Sequence, residues 1–343
     1  MGGAISGAAG QAWPPFVLVT GLILIGAVVE ADGLFAAVGV RIERIGGGPL
    51  ALLAALLGLE AVVTALLNLD TAAVFVTPIV LHAARSRRVD ERPFLYGALF
   101  IANGASLLLP GSNLTNLIVL AHSSLSGADV ARAMWLPWIC VVALTIVFLA
   151  AVFRPRREGR GQEPLPPLRL GAGAAATVAA TVLIVVLQNA ALPVLAIGVV
   201  AVAVRRLRPS IGAPVLAGLF VLAVVLGTLA RRWHGPASLV RHAGAIGGAA
   251  IGAAASVVVN NLPAASLLSA QRPPHPLALL IGLNLGPNLL FTGSLSTYLW
   301  YRAARAAGAR PSLAQASLLG VVLVPLTIAA ALAALRLTDA GAF

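Results

Sequence analysis

The sequence predicts an all-α polytopic membrane protein, built from two inverted repeats with two opposed re-entrant hairpins, two unwound spans and about eight full spans. Three observations predict this class. Hydrophobic residues make up 59% of the 343 residues and charged residues only 10%, whereas soluble domains are about 45–50% apolar and about 25% charged. Apolar runs of spanning length recur along the whole chain, and short arginine-rich loops separate them. In addition, one segment of the first half aligns weakly with one segment of the second half.

The net charge of +12 comes from arginines in these loops. Basic loops are usual on the cytoplasmic side of inner-membrane proteins, so the charge does not indicate a nucleic-acid partner. One cysteine, Cys140, and five histidines without a ligand spacing indicate neither a disulfide framework nor a metal site. We predict no cofactor and, since no nucleophile–base pair stands out, no enzymatic activity.

The first repeat is predicted to cover residues 1–153. It contains a span at 15–29, a hairpin at 49–84, an unwound span at 94–122 and a span at 134–153. Basic residues on both sides of the hairpin, at 41–44 and 85–92, place both of its ends in the cytoplasm. The polar interruption at 68–71 is then the hairpin tip.

A linker rich in arginine and proline, residues 154–169, is predicted to follow in the cytoplasm. The second repeat is predicted to cover residues 170–343. It contains three spans, a hairpin at 243–270 that enters from outside, an unwound span at 276–300 and a last span at 312–336. This arrangement leaves three arginines between 231 and 242 outside, against the charge rule.

The two halves share a weak internal repeat. Residues 102–115 align without a gap with residues 283–296, so that Asn103 falls on Asn284. In each half the hairpin comes before this segment. Paired apolar segments that are interrupted by Gly, Pro and Asn are the best indicator of a transporter binding site in a sequence.

Four polar clusters fall at predicted mid-membrane depth, at 68–71, 103–116, 260–263 and 284–297. An isolated Asn or Ser often only joins helices, but four clusters in duplicated positions favour a solute-binding cavity. The residues predicted to bind substrate or ion are Asn68, Asp70, Thr71, Asn103, Ser112, Asn113, Thr115, Asn116, Asn260, Asn261, Asn284, Asn288, Ser294 and Thr297.

Asp70 is the only acid in these clusters. A charged carboxylate at the bilayer centre costs about 2.5–3.5 kcal/mol, so we expect Asp70 to exchange a proton during transport. Its structural alternative is the N-cap of the helical arm that follows, and the two roles are compatible. Glu60, in the first arm of the same hairpin, is the second choice. Gly244, Gly248 and Gly252, at every fourth position, predict close packing of the second hairpin.

At these residues the sequence resembles the arsenite permease family of the ion transporter superfamily, to which divalent-anion/sodium symporters also belong. The resemblance covers roughly residues 13–337. It rests on four segments, LNLDTAAVFVTP at 67–78, FIANGASLLLPGSNLTN at 100–116, VNNLP at 259–263 and NLGPNLLFTGSLSTYLW at 284–300.

The resemblance implies efflux of arsenite or antimonite by proton antiport, with alternating access, in the cytoplasmic membrane. It implies a scaffold and a mobile transport domain that holds both hairpins, a homodimer and, in some members, a soluble ATPase partner. The partners are then the lipid bilayer, a small inorganic solute and protons. Family members usually carry two further spans before the segment that corresponds to residues 15–29.

Two other hypotheses stay open. The same fold would also suit an anion such as a dicarboxylate, coupled to sodium or protons, although the four clusters contain no Arg or Lys to bind an anion. The third hypothesis is a non-transporting membrane protein that serves in binding or assembly. The intact polar clusters argue against it.

Overall fold

The protein was analysed as a computed structural model, which describes residues 2–34, 37–38, 41, 48–121, 123–155, 171–187, 189–209, 213–233 and 235–338. Within these ranges the regular elements are helical, and the predicted all-α class is confirmed. Most of the basic loop predicted at 41–44 lies outside the described residues, as does the predicted linker from residue 156 onward.

The first half begins with one long helix and then forms the helices of the predicted hairpin and unwound span. These helices are α1 (Gly2–Ala31), α2 (Pro49–Leu66), α3 (Leu69–Thr71), α4 (Thr77–Ser86), α5 (Arg92–Gly104), α6 (Leu114–Leu120) and α7 (Gly127–Phe153). A π-helical segment, Ala72–Val76, joins α3 to α4. Two 3-10 turns, Ala105–Leu107 and Pro110–Ser112, lie between α5 and α6.

The second half repeats this order after three further helices and a short connecting helix. Its helices are α8 (Ala172–Val186), α9 (Ala191–Arg205), α10 (Ala213–Arg232), α11 (Gly235–His242), α12 (Gly244–Val259), α13 (Asn261–Leu268), α14 (Pro276–Leu285), α15 (Leu295–Ala306) and α16 (Leu313–Thr338). Two 3-10 turns, Gly286–Leu289 and Phe291–Gly293, separate α14 from α15.

Four helices in the described ranges are long and apolar enough to cross a membrane unaided, namely Ile5–Ala31, Pro49–Leu66, Gly127–Phe153 and Leu313–Thr338. Leu216–Arg232 and Gly235–His242 meet at 74° and would supply a fifth span if they act as one bent helix. The remaining apolar helices are shorter or belong to broken spans. The figure of eight full spans therefore stays a prediction.

Small residues let neighbouring backbones approach closely. A Cβ atom on Gly198 of α9 would lie 2.6 Å from the carbonyl oxygen of Gly21 in α1. In the second hairpin, a Cβ on Gly252 would lie 2.9 Å from the carbonyl oxygen of Leu279 in α14. Gly248, however, faces open space, so only part of the predicted glycine stripe packs against a helix.

Asp32 joins three helix ends. Its carboxylate is 3% exposed and lies 2.8 Å from Nε of Arg205, at the end of α9. It also accepts a 2.8 Å hydrogen bond from the backbone N–H of Gly173, in the first turn of α8. One buried acid therefore holds the ends of α1 and α9 against the start of α8 at one end of the helix bundle.

We expect Asp32→Asn to lower the free energy of unfolding by about 1–2 kcal/mol, because it breaks an ion pair in which Asp32 is buried and Arg205 is partly exposed. Thermal unfolding in detergent, followed by size-exclusion chromatography, measures the loss. The control is Asp90→Asn, whose partner Arg92 is exposed, and exposed pairs contribute about 0–1 kcal/mol. Equal losses in the two variants would contradict the proposed role.

The opposite end of α1 is held by Gln11. Its Nε2 donates to the carbonyl oxygens of Ile118, at 3.1 Å, and Ser269, at 3.3 Å. Its Oε1 accepts a 2.9 Å hydrogen bond from Arg231, at the end of α10. Arg231 is one of the arginines that the charge rule left unexplained, and here it has a structural role as a clamp between α10 and α1.

Candidate functional site

The two unwound spans share one backbone pattern. In the first, extended residues flank the second 3-10 turn, with φ of −123° at Leu109 and −151° at Asn113. In the second, φ is −137° at Leu290 and −150° at Ser294. Leu109 aligns with Leu290, and Asn113 aligns with Ser294, in the sequence repeat. The aligned residues therefore have the same conformation, and we call residues 105–113 and 286–294 the first and second break.

Asn284 lies at the centre of a buried hydrogen-bond network between the breaks. Its Oδ1 accepts from Nδ2 of Asn113 at 2.5 Å and from Oγ of Ser106 at 2.9 Å. Its Nδ2 donates to Oδ1 of Asn116 at 2.7 Å. All four side chains are buried. An asparagine of the second half is thus held by three polar side chains of the first.

Asn103 makes the reciprocal contacts. Its Nδ2 donates to Oδ1 of Asn288 at 2.9 Å, and its Oδ1 accepts from Oγ of Ser296 at 3.0 Å. Ser294 in turn hydrogen-bonds Ser296, at 2.8 Å. Each of the two aligned asparagines, Asn103 and Asn284, is therefore bound by the opposite half of the protein.

The tip of the first hairpin is capped by Asn68. Its backbone is extended, with φ of −173°, and its Oδ1 accepts a 2.7 Å hydrogen bond from the N–H of Thr71. The structural alternative for Asp70, the N-cap, is therefore wrong, because an N-cap is the last residue before the helix and Asp70 already lies in the first turn. Asp70 is half-buried and makes no hydrogen bond to any residue that the structure describes.

The tip of the second hairpin contacts the second break directly. Asn260 has φ of +74° and ψ of 151°, a strained conformation that is essentially limited to glycine. Its Oδ1 accepts from the N–H of Leu262 at 3.3 Å, and its Nδ2 donates to the carbonyl oxygen of Thr292 at 3.0 Å. Asn261 is buried beside it. Asn260 therefore fixes the tip to the break.

The hairpins also pack across the two halves. The second arm of the first hairpin contacts α15, the helix that follows the second break. The second arm of the second hairpin, α13, contacts α6, which follows the first break. Movement of either hairpin would therefore displace the helix that follows the break of the opposite half.

The predicted residues fall into two groups. Asn103, Asn113, Asn116, Asn284 and Asn288 share one network, and Ser112 binds the carbonyl of Ser106 beside it, at 2.7 Å. The hydroxyls of Thr115 and Thr297 are buried nearby without a hydrogen-bond partner among the described residues. Asn68, Asp70, Thr71, Asn260 and Asn261 lie at the hairpin tips, outside that network.

Ser106 and Ser296 contribute to the network but were absent from the predicted binding residues. The repeat alignment could have found Ser296, because it falls on the predicted residue Thr115. Ser106 falls on Pro287, so the alignment carries no signal for it.

A cavity of about 650 Å³ lies between α1, α6 and the first break. It is lined by Gln11 and Leu18 of α1, by Leu117 of α6 and by Pro110 of the first break. None of the predicted binding residues lines this cavity. In the described ranges no group of three or more His, Cys, Asp and Glu side chains could hold a metal ion.

Two broken spans, joined by buried amides within an all-helical membrane protein, are typical of secondary transporters. A family model described as citrate transporter matches residues 1–283. The chain belongs to this family. This is a family of multi-pass membrane transporters and not of enzymes.

The proteins similar to it include one known by sequence and one known by structure. Over 144 residues the chain is 28% identical to an uncharacterized transporter, YfbS, of Escherichia coli (strain K12), covering 41% of this chain and 23% of that protein. The chain thus matches about a quarter of that protein's length. The crystal structure of the Alcanivorax borkumensis YdaH transporter matches with a TM-score of 0.62 and 12% identity, over 97% of this chain and 86% of that one. At this identity the likeness concerns the fold alone.

These matches confirm a polytopic membrane transporter. Specificity for arsenite and the proton antiport are finer statements, which stay predictions. The homodimer, the ATPase partner and the location in the cytoplasmic membrane also stay predictions.

Proposed function

We propose that this protein is an ion-coupled secondary transporter of a small carboxylate anion, which works by alternating access in the cytoplasmic membrane. The observation that carries this proposal is the network of amides and hydroxyls that joins the two breaks. Broken helices at the interface of two repeats offer polar groups to a solute at the bilayer midplane. The family description, citrate transporter, supports a carboxylate as the substrate class.

The helix ends at the breaks suit an anion together with a coupling cation. α15 begins at the second break, where Ser294 caps its N-terminus, and α3 begins at the tip capped by Asn68. The N-termini of helices carry partial positive charge and favour a carboxylate. α5 and α14 end at the two breaks, and their C-terminal carbonyls favour a sodium ion or a proton. No cationic side chain is needed in this arrangement.

A bound solute would act by replacing hydrogen bonds between the halves. The contacts of Asn284 with Asn113 and of Asn103 with Ser296 each cross from one half to the other. A carboxylate that accepts hydrogen bonds from these amides and hydroxyls would weaken the direct contacts. Substrate occupancy would then change how the two halves pack, which is the coupling that alternating access requires.

A second candidate is efflux of arsenite or antimonite by proton antiport. The observation that favours it is the neutral character of the network, which consists of amides and hydroxyls without Arg or Lys. Arsenous acid is largely uncharged near neutral pH and would need only hydrogen-bonding partners. Capture by several thiolates is not available to this chain, which has one cysteine.

Counterflow in proteoliposomes separates these candidates. The purified full chain is reconstituted with unlabelled citrate, succinate or arsenite inside, and uptake of the same labelled solute is followed. We expect exchange of a carboxylate. Exchange of arsenite alone would support the second candidate, and a failure to exchange any of the three would contradict the proposed function. Imposed sodium or pH gradients then identify the coupling ion.

We expect Asp70→Asn to lower carboxylate counterflow by about tenfold to a hundredfold. Asp70 is the only charged residue at the hairpin tips. A hydrogen bond from the bound solute to its carboxylate would contribute about 1.5–3 kcal/mol. The matched control is Asp129→Asn, because Asp129 lies in the first turn of α7, where it hydrogen-bonds the N-cap Ser126, and is outside the network. Unchanged counterflow in Asp70→Asn would remove Asp70 from the site.

A further inference from the structure

A stripe of buried polar side chains leads from the tip of the first hairpin into α2. Glu60 and Thr64 lie four residues apart in α2, the spacing that places side chains above one another on one helix face. Asn68 follows just beyond the end of this helix, at the hairpin tip. Their exposed fractions are 0%, 0% and 1%. Both carboxyl oxygens of Glu60, the hydroxyl of Thr64 and Nδ2 of Asn68 have no hydrogen-bond partner in the described part of the chain.

The carboxyl group of Glu60 forms no hydrogen bond in the described part of the chain that would stabilise the fold. An ionised carboxylate without a partner is costly to bury in a membrane protein, so the neutral, protonated acid is the form that fits this site. Even the neutral acid leaves its polar atoms unpaired, where an apolar side chain of similar size would pack at lower cost. A carboxyl group kept at such a position is by default a candidate for function.

No charged neighbour accounts for Glu60. The elements that pack against α2 are α5, α7, the first break and the second arm of the same hairpin. Their charged or titratable residues are Asp70, His82, Arg85, Arg92, Tyr96, Asp129, Arg132 and Cys140. None of them forms a hydrogen bond or ion pair with Glu60.

The second arm of the hairpin has an irregularity at a similar distance along the chain from the tip. Residues 72–76 form a π-helical segment, and such segments are frequent at functional sites. Thr77 follows it directly, fully buried, and its hydroxyl has no hydrogen-bond partner among the residues described. Because the arms run antiparallel about residue 68, Thr77 lies roughly as far from the tip as Glu60. The hairpin therefore holds unpaired polar groups on both arms.

We propose that Glu60 carries the coupling proton of transport, and that the proton reaches it from the hairpin tip past Asn68 and Thr64. This inference rests on the proposed function, because it requires ion-coupled transport. When the arm is packed, the acid is protonated and neutral. When water enters from the tip, the O–H bond breaks, the proton passes to water and the carboxylate remains. The carboxylate takes up one proton from the other side before the arm packs again.

The test uses the reconstituted full chain with a trapped pH indicator. Glutamine has nearly the shape of a protonated glutamate, so Glu60→Gln should fold and keep counterflow within about twofold of wild type, while uptake driven by a pH gradient falls by about tenfold or more. Thr64→Val should slow this uptake without changing counterflow. The matched control is Thr145→Val, since the hydroxyl of Thr145 is already bound to the carbonyl of Val141, at 2.7 Å.

Three results would overturn the proposal. The first is a rate of pH-driven uptake in Glu60→Gln that equals the wild-type rate. The second is uptake that a sodium gradient drives equally in both proteins, while a pH gradient drives uptake in neither. The third is loss of counterflow in a Glu60→Gln protein that elutes as a folded species. Absence of counterflow in the wild type would instead contradict the proposed function.

Infrared difference spectroscopy tests Glu60 without a substrate. We expect a carbonyl band of a protonated carboxylic acid in the wild type and in Asp70→Asn, and its absence from Glu60→Gln. A band that persists in Glu60→Gln, or that disappears in Asp70→Asn, would assign the proton to another residue and overturn the proposal.

Discussion

Asn284→Ala is expected to abolish counterflow, with a loss of about a hundredfold or more, because it removes the centre of the network between the two breaks. The substitution leaves Nδ2 of Asn113 and Oδ1 of Asn116 without their partners. Each buried group left unpaired costs about 1–3 kcal/mol. Ser106 is affected less, since its hydroxyl also donates to the carbonyl oxygen of Asn103, at 2.6 Å.

Labelled-substrate counterflow measures this effect, with size-exclusion chromatography to verify that the variant is folded. The control is Gln271→Ala, which removes a side-chain amide that hydrogen-bonds Arg241 on the surface. We expect the control to exchange substrate at the wild-type rate. An Asn284→Ala protein that folds and exchanges as fast as wild type would show that the network takes no part in transport.

Gly282→Ala is expected to have the largest effect on folding. A Cβ atom at Gly282 of α14 would overlap the carbonyl oxygen of Ala249 and would lie 2.9 Å from the backbone nitrogen of Ala253, both in α12. These are backbone atoms, so the clash is relieved only if the two helices separate. Overpacking typically costs about 1–3 kcal/mol, and we expect a loss at the upper end of this range or beyond it.

The matched control is Gly248→Ala, in α12 itself. A Cβ atom at Gly248 meets no atom within 4 Å. Gly→Ala at a compatible helical position stabilises by about 0.4–1 kcal/mol, so this variant should be neutral or slightly more stable. Thermal unfolding and membrane yield distinguish the two. Equal behaviour of the variants would mean that α12 and α14 are not packed as closely as described.

The breaks are the part of the site that was easiest to predict. Pro110 and Gly111, and in the second half Gly286 and Pro287, interrupt helices for local reasons, since proline lacks an N–H and glycine weakens a helix. Those signals act within a few residues, so they can be recognised in the sequence alone. The aligned residues of the two breaks accordingly have matching dihedral angles.

The partners of the polar side chains were beyond the reach of sequence patterns. Nothing local determines that Asn113 binds Asn284, which is 171 positions away, rather than a nearer amide. The same limit explains why Ser106 was missed. The cap assigned to Asp70 instead of Asn68 has a different cause. Predicting the cap required the first helical residue to be known, and helix boundaries are the least reliable part of such a prediction.

The sequence by itself determined the class of this protein, because composition and apolar run length decide whether a chain enters a membrane. It also determined where the two spans break and, through the repeat, that the breaks correspond. Only the tertiary structure decided that the two breaks bind each other, that Asp32 and Arg231 tie helix ends together, and that Glu60 is buried without a partner. These contacts join residues that are distant in the chain or depend on how helices pack, and local composition carries no information on either.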